Sequence, residues 1–527
     1  MKKIFYISFL TIILFSFSSC LNDLNTKPEV ELSLEELLQQ DPNAISGIVS
    51  RLYASFALSS VTGPDNSDID DNAGESPFLR GIVNLQDFTA DGMKNRWGDD
   101  GLDQLTTTSN WDENNKFFRY LYNRIYYTIP QANNLLAILK IVSVEDQDNI
   151  TSEVRFLRAL AYYYLIDAFG KGVLATEDNL GSSEPLPEAT RIELFNFVET
   201  ELLAIENKIA DTNGYGRANK AVVRMLLAKL YLNAKVYTGI ERFEEAGAYT
   251  KKVIDEGGYT LATNYVSIFS GDNETSTEII FPLIADAITS QSYGNTTYII
   301  NGSLSVDTMT PEDFHSKQGW TGHRATKAWY GLYEGGISSG DELRNAVDER
   351  AQLFWIGKDE DDNDIHNFEM TDYKEWTDGY PSIKFRNTNF NGTSVATDFS
   401  STDFPLFRLA DAYLMYAECA LRGSSATDLA TALGYVNSIR TRSNATTISQ
   451  NELTLDFILD ERARELNLEG HRRSDLIRFE KFTGASYLWP WKGNTVNGTA
   501  IPETYKLFPI PLTALGANPN LKQNPGY

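Results

Sequence analysis

The sequence predicts a mainly α protein, a scaffold of paired helices that carries a large irregular loop-rich face with few short strands. Three observations predict it. Apolar residues recur every three or four positions over long runs in both halves of the chain, as in Lys116–Leu139, Glu153–Gly170 and 405–422. Small residues stand where neighbouring helices would meet: Ala221, Ala228 and Ala234 with Leu226 and Tyr231, then Ala246 and Tyr249. That is the pattern of a tetratricopeptide-like helical repeat. Residues 260–404, by contrast, are rich in Gly, Asn, Thr, Ser and Trp, with only Ile279–Leu283 and Thr297–Ile300 reading as short strands.

The chain opens with a basic Met1-Lys2-Lys3 and an apolar run from Ile4 to Phe17, the length of a signal segment and too short to span a membrane and emerge. The run ends Phe17-Ser18-Ser19-Cys20. Small residues before a lone Cys form a bacterial lipobox, with Phe17 departing from the usual Leu. Residues 1–19 are thus expected to be a lipoprotein signal peptide, Cys20 the lipid-bearing anchor to a membrane, and residues 20–40 a tether. Residues 41–527 are expected to form one domain. Within it, 41–60 reads as helix and Ser59–Ser76 as a polar, acidic loop. Asp68, Asp70 and Asn72 alternate there as calcium ligands do, but the following Gly is displaced and no Glu stands at the twelfth position, so a solvated loop fits better than a structural calcium site.

Phe88–Trp111 is irregular, glycine-punctuated and holds two Trp, and large aromatics in a loop need a reason. From Lys116 the spacing of Phe118, Tyr122, Ile125 and Ile129 makes a helix with a buried face. Helical repeats are expected over about 150–257 and 405–479, the second set opening with helices at 405–422 and 427–442. The loop-rich face is expected over about 61–115 and 260–404, with a few short helices, including Lys327–Glu334. Loops of that length in a compact protein are usually functional. The tail, from Leu507, is proline-broken and extended.

Composition excludes several classes. With 527 residues, 42% hydrophobic and 22% charged, the chain is globular, and its net charge of −26 repels phosphate backbones and other polyanions. No nucleic acid is expected as partner. Two cysteines, Cys20 and Cys419, cannot build a disulfide framework or a zinc site, and Cys419 reads as a buried small hydrophobe. There is no GxSxG, HExxH, GxxxxGK[ST] or helix-opening GxGxxG, and the only histidines are His315, His323, His366 and His471. No catalytic residue, metal or cofactor is expected. Aromatic content is high, with 27 Tyr, 28 Phe and 8 Trp, and Trp and Tyr are the side chains that stack on sugar rings or bases.

The densest charge cluster is Leu455–Phe479. Leu455, Ile458, Leu459 and Leu466 mark one helical stripe; Asp460, Glu461, Arg462, Arg464 and Glu465 lie opposite; Gly470 is expected to end the helix. His471-Arg472-Arg473-Ser474-Asp475 follows. The cluster invites an active-site reading, but an ion-pair network locking the last helices against the repeats explains it better.

Taken together, VRFLRALAYYYLIDAFG, PLFRLADAYLMYAECALRG, LDERARELNLEGHRRSDLIRF and the closing FPIP…NPNLKQNPGY resemble, in order and over nearly the whole chain, the SusD/RagB family of outer-membrane lipoproteins. GRANKAVVRMLLAKLYLNAKVYTG and YLWPWKGNTVNGT point to its starch-binding type. The resemblance implies a non-enzymatic cell-surface protein that captures neutral oligosaccharide and delivers it to a SusC-like TonB-dependent transporter. Starch-type α-glucan is the first ligand; a β-glucan such as laminarin, another neutral polysaccharide, or a mainly structural lid role are the alternatives. It also implies glycan-binding positions. The aromatic arc falls on Tyr293 and Trp320, while its other Trp falls on Asn95, a departure for which Trp97 could substitute. The polar partners fall on Arg80, on Asp100 in place of Asn and, across a one-residue gap, on Asn72. Trp489 and Trp491 are expected to be structural, and Trp111, Trp329, Trp355 and Trp376 core or rim.

Overall fold

A computed structural model describes residues 32–69 and 72–527. The expected signal peptide, Cys20, most of the tether and Asp70 lie outside the described residues.

The scaffold is helical and its packing order follows the chain. Helix Lys116–Leu139 lies on Gln147–Ala168, which lies on Arg191–Ile205; Lys220–Leu232 pairs with Phe243–Glu256, and that helix with Leu409–Leu421, which in turn packs on Leu429–Arg442 and Leu455–Leu466. Gln147–Ala168 is buried on every face from Phe156 to Ala168, as expected of a helix that is apolar nearly all round. Ala228 and Ala246 are fully buried where Lys220–Leu232 and Phe243–Glu256 cross, so the small residues serve close approach.

Among the described residues, three two-stranded antiparallel sheets punctuate the loops: Met93–Asn95 with His323–Ala325, Gly172–Val173 with Glu188–Ala189, and Ile279–Leu283 with Phe404–Arg408. The last corrects the expectation that the second helix pair opens at 405. Pro405 disfavours helical backbone at Phe404, the aromatic run suits a strand, and the helix begins only at Leu409. Thr297–Ile300, expected as strand, lies instead in the buried helix Thr296–Ser303. There Asn295 caps the first turn by accepting from the Thr297 N–H, and burial overrides the β-branched propensity.

Helix Leu455–Leu466 is capped by Thr454, whose hydroxyl accepts from the Phe457 N–H. It stops at Leu466, before the expected Gly470. Leu468 takes φ 58° and Gly470 φ 72°, so the reversal between the helices spends two left-handed residues, and a second helix runs Arg472–Arg478.

The charges of this stretch are inside. Glu461 and Glu465 are fully buried. Glu465 accepts from Arg408 at 2.6 Å, Arg350 at 2.8 Å, and Arg442; Glu461 pairs with Arg350 at 2.9 Å, Arg440 at 2.8 Å and Arg464 at 2.8 Å. Asp411 and Asp475 share Arg462 at 2.7 and 2.8 Å, and Glu418 takes Arg478 at 2.8 Å. Arg350 comes from the loop-rich face, Arg408 from the strand and Arg442 from the repeats, so this one network ties all three regions together. Arg473 departs from the pattern. It is buried, donates to the Tyr505 carbonyl at 3.1 Å and lies 4.1 Å from the Phe508 ring centre, and burial lowers it to about 10.

The network sets the acid limb of stability. Burial raises Glu461, but Arg350, Arg464 and Arg440 outweigh it and hold the carboxyl at about 2; burial likewise opposes Arg462 and Arg478 at Asp475, which ends at about 2. Glu465, Asp411 and Glu418 are depressed in the same way. A depressed carboxyl contributes stability that is present above its unfolded pKa and lost as pH falls through its folded one. Asp87, raised to about 8 chiefly by burial, acts in the opposite sense and is outnumbered. Melting temperature is therefore expected to hold between pH 5 and 7 and to fall steeply between about pH 4.5 and 2. A flat profile down to pH 3 in a series of thermal melts would contradict this.

Candidate functional site

The reversal after Leu466 grips the base of a surface ribbon. Arg472 takes both oxygens of Asp91, the nearer contact being 2.7 Å, and the Tyr487 hydroxyl donates to Asp91 at 2.7 Å. The Gly470 N–H donates to Asp87 at 3.2 Å, and the Ser474 N–H and hydroxyl both donate to Gln86. Across the base, Thr326 donates through its hydroxyl to the Asp91 carbonyl and through its N–H to the Gly92 carbonyl, both at 2.8 Å. From here the two strands rise in register, Met93 opposite Ala325 and Asn95 opposite His323. Trp97 leaves one strand and Trp320 precedes the other, so antiparallel pairing delivers both indoles to the same end.

The two rings are locked to each other. Trp97 Nε1 donates to the Trp320 carbonyl at 2.8 Å, and the ring centres lie 6.3 Å apart at 57°. Trp320 Nε1 donates to Gln318 Oε1 at 2.8 Å. Trp97 lies flush on Gly322, where a Cβ would stand 2.4 Å from the indole. Beneath it are His323 at 5.2 Å and Tyr298 at 5.9 Å. Burial, then Arg80 and Arg324, holds His323 well below its usual range, so the imidazole is neutral under the indole. Asn95 is fully buried and its Oδ1 accepts from the Trp97 N–H at 2.8 Å. Asn95 therefore does not reach the surface, and Trp97, two residues on, is partly exposed.

Arg80 is buried beneath the rings and does not stand free beside them. Its guanidinium lies 4.4 Å from the Tyr298 ring centre and 5.8 Å from that of Trp97, donates to the Gly74 carbonyl at 3.1 Å, and stands 3.8 Å from both Glu75 and Asp99. Its own N–H donates to the Gly294 carbonyl, which brings the loop of Tyr293 alongside. Tyr293 is half-buried, packs at 4.9 Å on Phe399, and sits across Gly74 from Asn72, whose Oδ1 caps the Glu75 N–H. Burial, then Asp65 and Asp398, raises the Tyr293 phenol. Asp100 is exposed beside Asp99.

Trp97, Trp320 and Tyr293 are gathered on one face, the basin: the Arg80 guanidinium lies under Trp97, its N–H holds Gly294 next to Tyr293, Asn72 stands by Tyr293, and Asp100 is exposed beside Asp99. Sequence reasoning missed Gln318, Asp398 and Phe399, which close the wall: Gln318 reaches Asp398 at 3.3 Å, and Phe399, the next residue, carries Tyr293. The other indoles pack elsewhere. Trp111, Trp329, Trp376 and Trp489 are buried, and Trp491 is half-buried, lies 4.8 Å from Tyr373 and donates to the Met370 carbonyl. Among the described residues no group of three or more His, Cys, Asp or Glu is placed to hold a metal. What the basin offers is stacking faces with hydroxyl-, amide- and carboxylate-bearing neighbours, the chemistry of a sugar site.

Comparison with known proteins agrees in family. Residues 277–527 match the model of the SusD family, and residues 71–232 the model described as starch-binding associating with outer membrane. The starch-binding protein SusD of Bacteroides thetaiotaomicron is 32% identical over 570 aligned positions, covering 100% of this chain and 99% of its own. The chain belongs to the SusD family. A SusD-like protein of Formosa agariphila, P25, is 25% identical over 98% of each chain. Among solved structures, a SusD superfamily protein from Parabacteroides distasonis has a TM-score of 0.70 at 20% identity, covering 94% of this chain and all of its own. The surface glycan-binding protein A of B. thetaiotaomicron, in complex with laminarihexaose, has a TM-score of 0.69 at 19% identity, covering 92% and 99%. These two confirm the mainly helical SusD fold. No helix among the described residues is long and apolar enough to cross a membrane.

Proposed function

We propose that this chain is a non-enzymatic cell-surface protein that binds a starch-type α-glucan and passes it to a SusC-like TonB-dependent transporter. In this reading it is held at the outer membrane through lipid on Cys20. The observation that carries the ligand reading is the tilt of the two indoles, 57° with Trp97 and Trp320 in contact. A V-shaped pair with a third ring across the basin follows a coiling α-glucan; a flat β-glucan would be served by coplanar rings. The 32% identical relative, named for starch binding, supports the same class. Trp97, Trp320 and Tyr293 would stack, with Asn72 and Asp100 as hydrogen-bonding neighbours and Arg80 bracing the rings from below.

Calorimetry of the chain lacking residues 1–20 against starch, laminarin, fructan and xylan tests this. Preference for laminarin would replace the α-glucan by a β-glucan, and no binding to any polymer would leave a structural lid. Reducing sugar released by the protein alone would overturn the non-enzymatic reading. Gly322→Ala is expected to lower glucan affinity about tenfold with a small change in melting temperature, because the methyl displaces Trp97 where no space exists. Unchanged affinity in that variant would show that the indole's seat is irrelevant to binding.

A further inference from the structure

The segment that carries Tyr293 and the segment that carries Phe399 both run on, away from the basin, into a second concavity. The turn Asp286–Ser290 precedes Tyr293, and Thr397–Asp403 contains Phe399. Between these segments and Gly271 lies a groove of about 540 Å³ that the basin does not use. One wall is Tyr215, 46% exposed. Its ring is fixed without a ligand: the hydroxyl donates to Asp403 at 2.5 Å, and the other Asp403 oxygen accepts from the Ala285 N–H at 2.8 Å. Along the groove the Asn389 side chain has no hydrogen-bond partner among the described residues. A Cβ at Gly271 would stand 2.6 Å from the Asn387 carbonyl and 2.9 Å from the Asn389 Oδ1, so the walls come this close only around a glycine. Ile288 and Val395 line it with side chains left 83% and 80% exposed.

The lining chemistry selects the ligand. It holds an aromatic face, amides, hydroxyls and aliphatic edges, and it contains no Lys or Arg. An anionic ligand would meet only Glu274, Asp286 and Asp403 there, whereas a sugar finds a ring for its C–H face and amides for its hydroxyls. Position along the chain matters as much: the Asp286–Ser290 turn, which lines the groove, lies just before Tyr293 in the sequence. We propose that this groove is a second sugar subsite, taking further units of the same neutral glycan chain that the basin holds. This rests on the reading of the basin as a glycan site. A weak subsite joined to a stronger one by the ligand itself acts at high effective concentration, so it adds affinity for long chains and none for short ones.

The test compares Tyr215→Ala and Asn389→Ala with the parent protein, using amylopectin and maltotriose in calorimetry, with melting temperature recorded for each. Polymer affinity is expected to fall about tenfold in Tyr215→Ala and less in Asn389→Ala, with maltotriose affinity unchanged in both. Asn389→Ala leaves the Tyr215–Asp403 bond intact and decides the matter if Tyr215→Ala does not fold. Unchanged polymer affinity in folded variants, while Trp97→Ala/Trp320→Ala abolishes it, would overturn the groove and leave the basin. A parent protein that binds neither probe, nor laminarin, fructan or xylan, would overturn both; one that binds laminarin instead moves the same comparison to laminarin and laminaritriose.

Discussion

Replacing Trp97 and Trp320 together by Ala is expected to lower glucan affinity at least a hundredfold while the protein stays folded. Stacking of a flat ligand on an indole is worth roughly 1–2 kcal/mol, and about 3 kcal/mol for the pair corresponds to a factor above 100 in Kd. The rings also hold each other, since Trp97 Nε1 donates to the Trp320 carbonyl, so the single changes should each cost more than half of the total and add less than independently. Stability should fall modestly, on the order of 1–2 kcal/mol, because both rings are only half-buried, although Trp97 covers His323 and Tyr298. Isothermal calorimetry with amylopectin, run beside thermal melts, separates the two effects. Binding that survives the double change at unchanged melting temperature would remove these indoles from the site.

How much of this was legible in the sequence depends on the range of the contact. The long helices are local, and their 3.6-residue stripes place them; short ones such as Phe78–Val83, Leu102–Thr106 and Leu512–Ala517 fall in stretches read as loop or extended tail. The indoles of the basin were legible as Trp in loops and through family resemblance. The wall made by Gln318, Asp398 and Phe399 was not, because the Gln318–Asp398 and Tyr293–Phe399 contacts join distant loops that carry no periodicity. The same limit explains the two element errors. Phe404–Arg408 is a strand because Ile279–Leu283 is its partner, and Thr296–Ser303 is a helix because its burial outweighs its local preference. Position 95 shows how backbone decides a residue's role: Asn95 pairs with His323 inside the ribbon, and the surface falls to Trp97 two residues on.

The charged face of Leu455–Leu466 carries the second large effect. Its Glu461, Arg462, Arg464 and Glu465 were legible as an ion-pair network, but their partners were not: all four are buried, and residues such as Arg350, Arg408 and Arg442 reach them from remote segments. Glu465 stands at the centre. It is fully buried and faces Arg350, Arg408 and Arg442. Glu465→Ala is expected to cost about 3–5 kcal/mol, since removing one member of a buried ionic group strands the others, and this is a large part of a typical total of roughly 5–15 kcal/mol. Glu465→Gln should recover little, because the new amide turns an N–H toward a guanidinium that can only donate. Arg473→Ala makes the useful contrast. It removes a single carbonyl bond and a ring contact, strands no carboxylate, and should cost less while leaving glucan affinity intact. Glycan binding by the fraction of Glu465→Ala that stays folded in the cold should also persist, because the ribbon's base hangs on Arg472 and Asp91. Urea unfolding of the three variants at pH 7 decides it. A Glu465→Ala protein within 1 kcal/mol of the parent would mean that the network shapes the fold without stabilising it.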